Sequence, residues 1–184
     1  SVAVLPFDDF SPGGDQAWFA DGLTEEILNS LARTTDLHVA SRTSSFGYRG
    51  TTENLSTIAA TLGVAHILEG SVRRAGDQLR VTAQLIRAHD DKHLWSETFD
   101  SSVENSIAIQ EKIAIEIARA LQTAMDPEEL ARMVAAGTRS VEAWEVYLRA
   151  LQARQEAFNR VDGSAFFAVA DMFDAAVAID PTFV

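Results

Sequence analysis

The 184-residue sequence contains no cysteine. That removes disulfides, thiolate nucleophiles and cysteine-held metal sites together, and leaves cytoplasm and periplasm equally open. Positive charge is also scarce. Lys and Arg number 15 against 27 Asp and Glu, for a formal net charge of −12. Nucleic-acid affinity rests on clustered Lys and Arg, which a strongly acidic surface opposes. The pair Arg73-Arg74 is not part of a longer basic run, so no nucleic-acid contacts are expected. No apolar stretch is long enough to span a membrane, and no charged-then-apolar leader opens the chain. The chain enters an apolar strand pattern directly at Ser1 and stops at Val184 just after Asp180-Pro181. Both ends read as cuts within a longer protein, whose flanks would carry an effector.

The signatures of common catalytic sites are absent too: the sequence has no GxGxxG, no GK[ST] ending, and no HExxH, GxSxG or SxxK. The loop Ser11–Asp15 joins a strand to a helix, where phosphates often bind. Asp8, Asp9 and Asp15 would repel an anion, so it reads as a plain loop. His89 and His93 are four apart, a ligand spacing only if helical. They flank a turn containing Asp90 and Asp91, which reads as solvated. His38 and His66 stand alone within strands. Ser44, Ser45 and Ser71 have no neighbouring base in sequence. The acidic pairs Glu25-Glu26, Glu128-Glu129 and Asp90-Asp91 read as solvated faces or helix-start charges. Catalytic, cofactor and metal residues are therefore assigned to none. Trp95 and Phe99 share a strand face and are expected in a core or domain junction. Phe46 and Tyr48 lie in a polar stretch, suited either to a partner surface or to packing on a sheet edge.

What is present is a 47% hydrophobic composition, enough for a core. Residues 1–7 (SVAVLPF) read as a strand ended by Asp8-Asp9. A helix is predicted from about Gln16 to Arg33, with Leu23, Ile27, Leu28 and Leu31 on one face and Glu25, Glu26 and Asn29 pointing away. Leu37–Ala40 is a short strand and Ser41–Gly50 a polar, aromatic stretch. A helix from about Asn54 to Leu62 stops at Gly63. Ala65–Arg74 and Gln78–Ala88 form a hairpin turning on Ala75-Gly76-Asp77. In its second strand Leu79, Val81, Ala83 and Leu85 alternate with Arg80, Thr82 and Gln84. A strand near His93–Phe99 follows. Ile109, Ile113, Ile117 and Leu121 then stripe a helix over Val103–Met125, which Asp126-Pro127 breaks. A short helix over Pro127–Ala136 ends at Gly137. Helices over Val141–Phe158 and Ser164–Ile179, joined by Asn159–Gly163, form a hairpin.

Five strings occur in order: VAVLPF (residues 2–7), WFADGLTEEI (18–27), LGVAHILEGSVRR (62–74), VTAQLI (81–86) and LWSETFD (94–100). With the β-α-β-α-β-β-β-α order, they make residues 1–125 resemble the TolB amino-terminal-like domain of bacterial signalling proteins. Residues 126–184 resemble the start of a tetratricopeptide array, since Phe173, Ala176 and Pro181 match the second-helix pattern. Trp144 lies 37 residues before Pro181, a longer interval than that repeat uses. One hairpin cannot bury both faces of such an array, so more repeats are expected beyond Val184. The fold class expected is α/β of the α+β kind: a mixed sheet of about five strands with helices packed on it, then the repeat-like hairpin.

The resemblance implies a regulatory or docking segment, with no catalytic residue to transfer. It implies an adjoining effector, a class III adenylate or guanylate cyclase or a CadC-type winged helix. A protein partner through the helical repeats is expected, possible self-association to a homodimer is left open, and a cytoplasmic location is taken unless a transmembrane helix precedes the piece. The alternative is a small-molecule sensor with its pocket where the α/β domain meets the helices.

Overall fold

A computed structural model describes residues 1–34, 36–121, 138–160 and 165–183. The short helix expected over 127–136, its Gly137 stop, and Glu128 and Glu129 lie outside the described residues.

Strand β1 (Val2–Val4) and strand β2 (Asp8–Asp9) both run parallel to β3 (His66–Ala75). Strands β4 (Gln78–Arg87) and β5 (Lys92–Ser102) continue the sheet antiparallel, giving five strands in the order β1-β3-β4-β5 with β2 also on β3. The alternation read from β4 decides its orientation. Leu79, Val81, Ala83 and Leu85 are buried in the main core, while Arg80 is exposed.

One face of the sheet is covered by α1 (Ala17–Ala32) and α4 (Ser106–Ala120). The isoleucine stripe of α4 does this work, with Ile113 and Ile117 fully buried. Deep in that layer the Gln110 amide donates to Ser30 Oγ across the two helices at 3.2 Å. The opposite face carries a second, smaller core of Ala3, Leu5, Ile58 and Ile67 under α3 (Leu55–Leu62). Asn54 caps α3 by accepting the Thr57 N–H at 2.9 Å, and Gly63 ends it at φ 67°, a left-handed conformation that costs glycine little. Helices α5 (Val141–Arg160) and α6 (Ala165–Ile179) pack on each other, and α5 lies along α1. Tyr147 of α5 meets the rings of Phe173 and Phe183 at 5.8 and 5.0 Å.

The α+β architecture expected from the sequence is the one found. Several local expectations change. Asp8-Asp9 does not end the first strand run but forms β2, because the backbone stays beside β3: Leu5 N–H donates to Leu68 O and Phe10 N–H to Val72 O. Leu37–Ala40 contributes a single bridge, Val2 to Val39. The polar stretch after it contains a helix, α2 (Arg42–Phe46), whose start is capped by Ser41 accepting from the Ser44 N–H. Strand β5 is longer than expected at both ends. Helix α5 runs on to Arg160, into the segment expected to be a loop.

Candidate functional site

The site with most chemistry is the seam between α1 and α5. Helix α1 is buried on two sides, by the sheet and by α5, and small residues decide how close α5 comes. Gly22 faces Leu148, whose Cδ2 lies 2.5 Å from where a Cβ on Gly22 would sit. With Leu148 placed there, any side chain at position 22 would force it to move. Beside it Phe19 and Trp144 meet edge to face at 5.5 Å. Trp18 packs the same way on Phe19, and Arg149 of α5 lies 4.6 Å over its ring. At the end of β3, Arg74 Nη1 forms an ion pair with Glu145 of α5 at 2.9 Å, off the direction of a good hydrogen bond. Arg74 is also stacked 5.3 Å over Phe19.

Glu25 is the electrostatic centre of the seam. It is 8% exposed, and its Oε2 accepts from Arg42 Nε at 2.7 Å. Its Oε1 lies 3.8 Å from Arg154 of α5. One carboxylate of α1 thus joins arginines from α2 and α5, and Arg42 continues to Gln155 Oε1 at 3.2 Å. Glu26 lies beside it, within reach of the Tyr147 hydroxyl. Burial pushes its carboxyl up to about 7, helped by the charge of Glu25 and opposed by Arg33, Asn29 and Tyr147. Burial likewise raises the Tyr147 hydroxyl to about 12, with Glu26 and Glu25 adding to it. The expectation of a solvated Glu25-Glu26 face is therefore corrected. The polar side of α1 is roofed by α5, and the charges pair across the roof.

Where α1 and α2 diverge from the α5–α6 hairpin, a cleft of about 590 Å³ opens. Arg42, Arg49 and Arg154 form its polar wall, and Phe46, Phe158 and Phe166 its apolar one. Arg49 Nη2 holds Asp21 at 2.5 Å. Burial raises the Asp21 carboxyl, and Arg49 and Arg42 oppose this. Phe46 has Arg42 stacked 4.2 Å from its centroid and Arg49 at 5.6 Å.

The other residues weighed from the sequence fall elsewhere. Asp9 closes the Ser11–Asp15 loop by accepting from the N–H groups of Ser11 and Gln16, both at 2.8 Å. His89 is exposed in the turn after β4, and Asp90 is held there by Arg87 at 2.8 Å. His93 lies near the start of β5, and His66 Nδ1 contacts Ser1 O at 3.0 Å. Ser45 is fully buried, while Ser71 lines a shallow cavity on the sheet with Asp8 and Glu69. Trp95 and Phe99 do share a face, 6.4 Å apart, and pack on the main core. Phe46 and Tyr48 part company, Phe46 to the cleft and Tyr48 to the second core. Sequence reading missed Gly22, Leu148, Arg42, Arg49 and Arg154. The available signal was a glycine inside a strong helical pattern, facing a second apolar stripe at Trp144, Leu148 and Leu151.

Comparison with known proteins decides the family. Residues 1–116 match the second domain of the HilA/YgeH-like transcriptional regulators. The chain belongs to that family. A relative from Rhizobium meliloti (strain 1021), named "Putative adenylate cyclase 3", is 39% identical over 153 residues. The alignment covers 83% of this HilA/YgeH-like chain and 26% of the relative, so the chain spans about a quarter of that protein's length. Among solved structures, TolB from Acinetobacter baumannii superposes with a TM-score of 0.50 at 15% identity, over 65% of this chain and 27% of TolB. That likeness shows a shared fold, the one the TolB-like strings imply. LpoB from E. coli aligns with a TM-score of 0.43 at 18% identity, over 55% of this chain and 56% of LpoB.

Proposed function

We propose that this HilA/YgeH-like domain and its helical hairpin form a non-catalytic regulatory and protein-interaction module of a larger bacterial signalling protein. The neighbour would be a class III nucleotide cyclase or a winged-helix effector. The observation that carries the reading is the α1–α5 seam. Complementary packing at Gly22 and Leu148, together with the Glu25 pairings, makes the hairpin and the sheet domain one mechanical unit. A partner that grips the hairpin would then move the sheet domain with it.

Two further features support the reading. Helix α6 leaves Phe167 79% exposed, with Val177 and Ile179 also at the surface. Such a face suits stacking against another helix, as in a tetratricopeptide array, or against a partner protein. The net charge of −12 favours protein contacts over nucleic acid, so DNA would be met by the effector. A cytoplasmic setting follows from the cyclase reading. Among the described residues no helix is long and apolar enough to cross a membrane.

The test uses the full-length protein with its own effector as readout. Leu148→Arg forces α5 off α1. The effector's output is expected to shift in that variant. An identical output, with the hairpin demonstrably undocked by amide exchange, would sink the reading. Turnover of ATP or GTP by the 184-residue chain alone would sink its non-catalytic part. A second reading, small-molecule sensing, is favoured by one observation: the largest cleft described lies at the junction itself.

A further inference from the structure

We propose that the junction cleft binds an aromatic anion, a planar ring carrying a single phosphate or carboxylate group. Three observations converge on it. The first is the polar wall. Arg42, Arg49 and Arg154 meet there on a chain that is otherwise acidic. A guanidinium has five N–H donors in a planar fork suited to oxyanions. Arg42 uses Nε on Glu25 and Nη1 on Gln155, Arg49 uses Nη2 on Asp21, and Arg154 makes a long 3.8 Å contact with Glu25. Most of the donors on Arg49 and Arg154 are left over, and both side chains are about half exposed, at 46% and 50%.

The charge balance limits the ligand. Among the described residues, three arginines stand against the lining carboxylate of Asp21 and that of Glu25 behind them, leaving one positive charge in excess. That matches one carboxylate outright, accommodates one phosphate monoester whose second charge stays toward solvent, and disfavours a triphosphate. The net charge of −12 also disfavours multiply charged anions at long range, but screening confines that field to about 8 Å at physiological salt. Inside the cleft the arginines prevail.

The second observation is the apolar wall. Phe158 is 71% exposed and Phe166 41%, whereas Phe7 and Phe19 are buried in the core. A ring lying between these phenylalanines would cover them, and the arginine planes stacked on Phe46 offer a further flat surface. The third is size. A volume of about 590 Å³ is typical of small-molecule sites and far exceeds a bare oxyanion. The inference deepens the sensing reading: a ligand touching α1, α2, α5 and α6 binds only the docked arrangement, and so stabilises it.

Calorimetric titration of the 184-residue chain with AMP, phenylacetate, adenosine, acetate and inorganic phosphate tests this. AMP or phenylacetate is expected to bind at least about tenfold more tightly than adenosine, acetate or phosphate. The preference between AMP and phenylacetate tells a phosphate ligand from a carboxylate one. Arg49→Gln, Arg154→Gln and Phe158→Ala, all at exposed positions, should each weaken that binding about tenfold. No saturable binding of either compound at millimolar concentration overturns the proposal. So does phosphate binding as tightly as AMP, or binding that survives all three substitutions. Binding without any change in effector output in the full-length protein would leave the ligand standing and sink the sensing role alone.

Discussion

Leu148 occupies the space that any side chain at position 22 would need, with its Cδ2 2.5 Å from the missing Cβ of Gly22. Glycine inside a helix costs about 1 kcal/mol relative to alanine. Here that cost is offset by the close approach of α5.

Gly22→Ala should therefore destabilise the chain despite its better helix propensity, by about 1–3 kcal/mol through overpacking. Leu148 is 1% exposed, and Leu148→Ala should cost about 2–5 kcal/mol through the cavity it leaves. The double variant should lose less than the sum, because the new methyl enters the vacated space. Urea unfolding of the four proteins measures the coupling. Strict additivity would mean that the two residues do not compete for one volume.

Stability should fall as pH rises from about 4.5 through 7, and Glu26 supplies the physical reason. Its carboxyl is raised from an ordinary 4.5 to about 7 by burial and by Glu25. An acid so raised folds with its proton on. Its contribution is complete below the unfolded value and is lost as pH climbs through the folded one. The span corresponds to about 3–4 kcal/mol at most, since each pKa unit is about 1.4 kcal/mol. Glu26→Gln keeps a neutral partner for Tyr147 and should flatten this slope, raising stability at pH 8 relative to the parent. A slope unchanged in the variant would assign the effect to another group.

The elements most legible in the sequence were those with one clean periodicity. The alternation Leu79, Val81, Ala83, Leu85 placed β4, and the isoleucine stripe placed α4, because each packs against one face. Helix α1 defeats that logic. Its Leu23, Ile27 and Leu31 arc meets the sheet, but its second face is covered by α5. There Glu25 is paired with arginines and Glu26 is largely covered rather than solvated, and sequence spacing cannot distinguish these cases from an exposed face. The cleft was still less accessible. Arg42 and Arg49 are separated from Arg154 in the chain by strands β3, β4 and β5 and helices α3 and α4, and only the packing of α5 brings them together. Helix α2 was missed because five residues give no periodicity.

Glu25→Gln should weaken the seam more than either arginine change alone. It removes the charge shared by Arg42 and Arg154. A partly buried arginine left without its counter-charge costs about 1–3 kcal/mol, below the full price of a deeply buried pair. Arg154→Gln breaks only a long, half-exposed contact and should stay within about 1 kcal/mol. Arg42→Gln should fall between them. Amide exchange along α5 reports the seam directly. Equal effects of Arg42→Gln and Arg154→Gln would contradict the geometry.

Asp9 has the role of a remote helix cap. Helix α1 begins without a side-chain cap of its own at Gln16. Asp9 of β2 reaches back instead, taking the Ser11 and Gln16 N–H groups on its two oxygens. Burial alone would raise its carboxyl, but the bonds from Ser11 and Gln16 outweigh that and hold it below the ordinary 3.8. A depressed acid stabilises the fold above its unfolded value and loses that contribution as pH falls through the folded one. Asp9→Ala should cost about 1–2 kcal/mol at neutral pH, and the penalty should shrink as pH falls below the ordinary 3.8 and the parent loses the same charge. Asp9→Asn retains one acceptor oxygen and should lie between the two. Amide exchange at Ser11 and Gln16 localises the loss. If those two amides stay as protected in Asp9→Ala as in the parent, the start of α1 is held by something other than this carboxylate.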